Sequence, residues 1–223
     1  MTDNSKDRVL DAALAHVPFD GWSEKTLRAA AAEAGVDAAL ARALFPRGGV
    51  DLALAFHARG DAEMAARLAA MDLTSQRYRD RIATAVRTRL ELADLELVRR
   101  GTTLFSLPQH AGDGAKAVWS TADKIWTALG DTSQDLNWYT KRATLSAVYA
   151  ATVLYRLGDC TPFHQATWEF LDRRIDGVMQ VEKLKASLRE NPIGKAFMAG
   201  PGKLMESVRA PRQPDNLPGR HQG

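Results

Sequence analysis

Four side chains, Asp135, Trp138, Tyr139 and Arg142, recur within the stretch Gly130-Asp-Thr-Ser-Gln-Asp-Leu-Asn-Trp-Tyr-Thr-Lys-Arg142. On a helix their i,i+3 and i,i+4 spacings put a carboxylate, an indole, a phenol and a guanidinium in one patch about 100° wide. That set can stack, hydrogen-bond and form ion pairs, which is the chemistry of recognition rather than of bond making. Two roles are open to it: a wet rim on the edge of the core, or a surface offered to another molecule. Lys141 stands beside the four and fits either role.

Bond-making chemistry finds no comparable set. None of the histidines, His16, His57, His110, His164 and His221, lies three residues after an Asp or Glu, so the Glu-x-x-His ligand pairs of a di-iron bundle are absent. There is no Gly-x-Ser-x-Gly, no Walker loop and no Cys-x-x-Cys. His57 and His164 read as ordinary helix residues, and Cys160 has no evident activator. The expectation is a protein that is not an enzyme and has neither a metal site nor a catalytic cofactor.

The elements that must position the patch are helices. The intervals between prolines are rich in Ala, Leu, Arg and Glu with 3.6-type periodicity, which predicts an all-α protein. The first helix is expected over about 6–17. Ser23 caps a second over 24–34, which Gly35 ends, and a short third runs over 37–45. A fourth is expected over 50–71 and a fifth over 75–100. The arginines of the fifth (Arg77, Arg79, Arg81, Arg87, Arg89) read as a solvated face, balanced by Glu91, Asp94 and Glu96. Residues 101–114 read as a loop.

The sixth helix, 115–129, carries Val118, Trp119, Ala122, Ile125, Trp126 and Leu129 as a core stripe. Asp131, Ser133 and Asp135 supply the acidic start of the seventh. Its continuation through Leu145, Val148, Tyr149, Thr152 and Tyr155 is apolar nearly all round, as expected of a central helix buried by its neighbours. Thr161 and Pro162 open an eighth, which carries Phe170, Leu171 and Ile175.

With 223 residues the chain can build one substantial core. Its single cysteine rules out an internal disulfide and suits a reducing compartment. The polar start predicts no leader, and no apolar run approaches the roughly 20 residues of a membrane span. Residues 1–60 are slightly acidic and 61–180 balanced, so the basic excess lies in 181–223. There Ile193, Phe197, Leu204 and Val208 share a face, with Met198, Lys195 and Lys203 nearby, as on a helix that touches membrane. Gly200-Pro201-Gly202 should kink that face. The expected division is a three-helix region at 1–48, a helical binding domain at 49–186 and a basic tail at 187–223 with a disordered end.

The first three helices resemble the helix-turn-helix of the tetracycline-repressor fold. The third offers only Arg42 as a basic residue, and alanines and leucines cannot read base edges. The slightly acidic N-terminal region also lacks the counterion-release contribution to DNA affinity. The fold is read as kept and nucleic-acid binding as lost.

Trp119-x6-Trp126, the Gly-Asp-x-Ser-x-Asp-x-x-Trp-Tyr-Thr-Lys-Arg block at 130–142, Val148-Tyr149, Thr152 and Thr-Trp-x-Phe-Leu-Asp-Arg-Arg-Ile at 167–175 together resemble the coenzyme Q (ubiquinone) biosynthesis protein nine family. The resemblance implies a tetracycline-repressor-like fold without DNA binding, a homodimer, and an apolar pocket for an isoprenoid or phospholipid ligand. It also implies a partner, the di-iron demethoxyubiquinone hydroxylase, on Asp135, Trp138, Tyr139 and Arg142. The pocket is expected between the sixth, seventh and eighth helices, from Trp119, Ile125, Trp126, Leu145, Val148, Tyr149, Thr152, Phe170 and Leu171. Membrane contact is expected through Ile193, Lys195, Phe197, Met198, Lys203, Leu204 and Val208. The implied function is a lipid-binding accessory protein of ubiquinone biosynthesis, cytoplasmic and peripheral at the cytoplasmic face of the inner membrane. The alternative is a ligand-responsive transcriptional regulator of the tetracycline-repressor type.

Overall fold

The structure is a computed structural model that describes residues 2–190 and 209–211. Among the described residues all regular structure is helical, as the periodicity predicts. Helix α1 (Thr2–Asp20) is longer at both ends than its apolar pattern, and α2 (Glu24–Glu33) packs against it. Ser23 caps α2 by accepting from the Thr26 N–H, and Gly35 turns the chain at φ 61°. Asp37 caps α3 (Ala38–Leu44) by accepting from Ala39 and Leu40. The three close over Val9, Leu10, Val17, Leu27 and Phe45, each at most 2% exposed. Removing a side chain of that kind from water contributes about 1.5–3 kcal/mol.

Helix α4 (Gly49–Ala69) is the spine that joins this cluster to the next. Its first half buries Leu52 and Ala53 with α1–α3, and its second half buries Met64 and Leu68 in a second core. The second core is completed by α5 (Tyr78–Glu91), α7 (Ala111–Ala128), α8 (Leu136–Gly158) and α9 (Gln165–Glu190), while α6 (Leu95–Phe105) lies between α1 and α7.

Four expectations about the elements need correction, the last at the join of α8 and α9. The fifth helix is two, α5 and α6, because the Asp94 carboxylate takes the Glu96 and Leu97 N–H groups and starts a new helix. The loop over 101–114 shrinks to the few residues between α6 and α7. Gly112 and Gly114 lie in the first turn of α7, and a Cβ on Gly114 would sit 2.7 Å from that of Phe105, so this glycine allows a close helix crossing. The seventh helix is not buried all round. Leu145, Val148, Tyr149 and Thr152 face inward, but Ala143 and Ala147 are exposed, as are Leu154 at 59% and Tyr155 at 39%.

The join between α8 and α9 is tightly tied. Asp159 accepts from the backbone N–H and hydroxyl of both Thr161 and Thr167 at 2.6–2.8 Å, and these bonds hold its carboxyl well below the usual range. The chain passes through a short 3-10 turn at Pro162–His164 before α9 begins, so the predicted single helix start at Thr161-Pro162 is displaced.

Candidate functional site

The patch is built at the junction of α7 and α8. Gly130, at φ 77°, ends α7 in a Schellman turn: its N–H bonds to the Thr127 carbonyl and that of Asp131 to the Trp126 carbonyl. The turn brings the Asp131 side chain back toward α8. Asp135, not Asp131, is the N-cap of α8, accepting from the Asn137 N–H at 2.9 Å and from its side-chain amide at 3.0 Å.

Asp131 is the hub. Its side chain is 3% exposed and accepts from Lys141 Nζ at 2.7 Å, Ser133 Oγ at 2.8 Å and Arg142 Nη1 at 3.0 Å. Burial alone pushes this carboxyl up, but the bonds from Lys141, Ser133 and Arg142 outweigh it and bring it down to about 2. The sequence pattern assigns Asp131 only to the helix start and does not show this role. Arg142 is likewise deeper than its spacing suggests, at 3% exposed. It donates to Asp123 Oδ1 at 2.5 Å and to the Trp138 carbonyl at 3.2 Å, and its guanidinium lies 4.0 Å from the Trp138 ring centroid.

The aromatic pair is half-buried and held from two sides. Trp138 meets Tyr139 edge-on at 4.8 Å and Trp119 at 6.0 Å. The segment 209–211 also reaches this place: Tyr139 donates its hydroxyl to the Arg209 carbonyl at 3.3 Å, and Ala210 donates its N–H to the Gln134 carbonyl at 2.9 Å. Polar, ring and charged groups therefore converge on the start of α8. Among the described residues, no group of His, Cys, Asp and Glu side chains could hold a metal.

Directly behind the patch, α5, α7, α8 and α9 enclose a cavity of about 220 Å³. Asn137, Thr140 and Lys141 line it on the patch side, and Trp126, Leu145 and Val148 line it within. Those last three belong to the nine residues expected around a lipid. Tyr149 instead lines a second cavity on α8. Ile125, Thr152 and Leu171 are packed inside the protein, Trp119 braces Trp138, and Phe170 stacks on Tyr155 at 4.4 Å. Ile193, Lys195, Phe197, Met198, Lys203, Leu204 and Val208 lie outside the described residues. No helix among the described residues is long and apolar enough to cross a membrane.

In the N-terminal helices, Arg42 is paired with Glu24 at 2.6 Å, and Arg47 with Asp51 and Asp113 at 2.8 and 2.9 Å.

The COQ9 family model matches residues 111–182, the span of α7, α8 and most of α9 that carries this geometry. The ubiquinone biosynthesis protein COQ9 of Drosophila melanogaster, named as mitochondrial, is 34% identical over 188 residues, 82% of this chain and 57% of its own. The chain is a COQ9 relative. The COQ9 proteins of Rattus norvegicus and Homo sapiens, also named as mitochondrial, are 31% and 29% identical, each over 86% of this chain and 64% and 63% of their own lengths. The chain thus spans somewhat under two thirds of the COQ9 relatives it matches. Their names give no support to the expected cytoplasmic location. In fold, the chain is similar to a TetR transcriptional regulator of Nitrosomonas europaea, with a TM-score of 0.62 at 19% identity over 77% of this chain and 95% of that one. The expected tetracycline-repressor-like, all-helical architecture is therefore met.

Proposed function

We propose that the chain is a lipid-binding accessory protein of ubiquinone biosynthesis, which holds an isoprenoid quinone precursor and presents it to the demethoxyubiquinone hydroxylase. The observation that carries this reading is the adjacency of a braced aromatic pair and an apolar cavity on one helix. Trp138 and Tyr139 lie in the same turn of α8 as Asn137, Thr140 and Lys141, which line the cavity of Trp126, Leu145 and Val148. A partner docked on the rings would stand at the polar side of the cavity, where a ring-shaped head group would lie with its apolar tail inward. The COQ9 relatives, named for ubiquinone biosynthesis, supply the pathway. The exposed Leu154 and Tyr155, with the half-buried Phe170 stacked on Tyr155, suit the proposed homodimer. The tail residues Ile193, Phe197, Leu204 and Val208 remain the proposed membrane contact.

Two measurements test the reading. Mass spectrometry of the purified protein should find a polyprenyl compound, and Leu145→Trp, which fills the cavity, should lose it. Trp138→Ala/Tyr139→Ala should keep the compound and lose capture of the hydroxylase. A chain that purifies without any isoprenoid, and whose double variant still captures the hydroxylase, removes the support for this function.

A further inference from the structure

A second cavity, of about 290 Å³, opens between α4, α6, α7 and α8 and shares no lining residue with the first. Its walls are apolar: Trp22, Phe56, Leu97, Phe105, Val118 and Val153. Five polar side chains interrupt them, Thr102, Ser106, His57, Arg89 and Tyr149, of which His57 and Arg89 are tied to one buried polar cluster with Asp61 and Thr121. The sequence pattern puts Arg89 on a solvated face with its neighbouring arginines, but it is 3% exposed. It donates Nε–H to Asp61 Oδ1 at 2.8 Å and an Nη2–H to the His57 carbonyl at 3.1 Å, which leaves Nη1 without a hydrogen-bond partner among the described residues. Gly60 makes the room for it, since a Cβ there would sit 2.8 Å from Arg89 Cζ.

Asp61 is fully buried. It also accepts from the Thr121 hydroxyl at 2.8 Å, and its Oδ2 has no hydrogen-bond partner among the described residues and lies 3.7 Å from Lys124 Nζ. His57 Nε2 bonds to Thr121 Oγ1 at 2.8 Å. The Thr121 hydroxyl is committed to Asp61, so Nε2 carries the proton and Nδ1 is left as an acceptor. Burial pushes the His57 imidazole below its ordinary value and so keeps it neutral. Asp61 then stands against two cations, Arg89 at 2.8 Å and Lys124 at 3.7 Å, with one positive charge in excess. A buried Asp–Arg pair needs no cavity beside it. This one lends an arginine with unspent N–H donors to the wall of a mostly apolar space, the arrangement that recognises a carboxylate.

We propose that this cavity binds an amphipath that ends in a carboxylate, of which a medium-chain fatty acid is the simplest form. The carboxylate accepts from Arg89, and the chain packs among Trp22, Phe56, Phe105 and Val153. The volume lies at the lower end of the ~300–1,000 Å³ of ligand pockets, which favours one short chain. The proposal does not rest on the proposed quinone-precursor site: both cavities have walls on α7 and α8, but they share no lining residue, and α9 closes the first where α4 and α6 close this one.

The test is calorimetric titration of the delipidated full chain with decanoate, decanol and geraniol at pH 7. Decanoate is expected to bind at least tenfold more tightly than either alcohol. Val153→Trp, which fills the cavity and leaves the polar cluster alone, is expected to abolish that binding. Asp61→Asn/Arg89→Met, which removes both charges together, is expected to bring decanoate to the level of decanol. Should that double variant fail to fold, the alcohol comparison and Val153→Trp still decide. Trp138→Ala, which strikes the partner patch, is expected to leave decanoate binding unchanged. Absence of binding, an alcohol as tight as decanoate, or tight decanoate binding that survives Val153→Trp would each overturn the proposal.

Discussion

Arg142 bonds to the backbone of Trp138 and covers its ring as well: one guanidinium N–H donates to the Trp138 carbonyl at 3.2 Å while the charge lies 4.0 Å from the indole centroid. An indole fixed at both ends of its residue loses little freedom when something docks on it, so the ring is set in place before any contact is made. Arg142 is itself 3% exposed, so its part in the proposed partner surface is to position Trp138.

Arg142→Met is therefore expected to destabilise the fold by about 2–4 kcal/mol, because it leaves Asp131 and Asp123 short of a partner under the patch. Arg142→Lys should recover only part of this, since an ammonium cannot serve two carboxylates and a carbonyl with one planar fork. Urea unfolding measures the loss, and near-ultraviolet circular dichroism reports whether Trp138 loses its fixed setting. A fully stable Arg142→Met protein with an unchanged aromatic signal would falsify the bracing role.

Asp131 makes the same junction sensitive to acid. Its folded carboxyl titrates at about 2 against an ordinary value of 3.8. A depressed carboxyl stabilises the folded state above the ordinary value, and that stabilisation is lost as pH falls toward the folded one. The stability advantage of the natural protein over Asp131→Asn should thus hold at pH 5 and shrink between about pH 4 and pH 2. Paired urea titrations across that window check it; an advantage that stays constant down to pH 2 contradicts the depressed carboxyl.

What the sequence reveals here is local, and what it hides is assembled from a distance. Caps at Ser23, Asp37 and Asp135 and the turn at Gly35 are legible because cap, turn and helix are neighbours in the chain. The patch is legible for the same reason, as its residues lie within two turns of one helix. The depth of Arg142 is not, because Asp123 on α7 and Asp131 in the turn must fold onto it. Arg89 looks like Arg87, its exposed neighbour on α5, until Asp61, 28 residues earlier, comes alongside. Asp94 does carry a readable signal. An Asp two and three residues before Glu96 and Leu97 is a cap, and it marks the point where the expected fifth helix divides.

Two helix glycines should answer oppositely to alanine. An open helix position gains up to about 1 kcal/mol from Gly→Ala, and Gly177, where an added Cβ would meet nothing within 4 Å, should show that gain. At Gly60 the new methyl would press on Arg89, which Asp61 holds in place, so Gly60→Ala should cost about 1–3 kcal/mol instead. Chemical denaturation of the two variants separates the cases. A stabilised Gly60→Ala protein would mean that the guanidinium has somewhere else to go, and that Arg89 is not fixed in the cavity wall.

Phe163 offers a test of the turn that joins α8 to α9. It is 95% exposed and has φ 54°, a left-handed conformation that costs a residue with a Cβ roughly 1–2 kcal/mol. Its ring contributes little packing within the chain, so truncation to alanine should be close to neutral. Glycine escapes the strain but has more freedom to lose on folding. Phe163→Gly should therefore exceed Phe163→Ala in stability by about 0.5–1 kcal/mol, read from their unfolding midpoints at low protein concentration. If both variants instead lose stability equally, and the loss grows with protein concentration, the exposed ring is contributing to association between copies of the chain, and the strain is held in place by that contact.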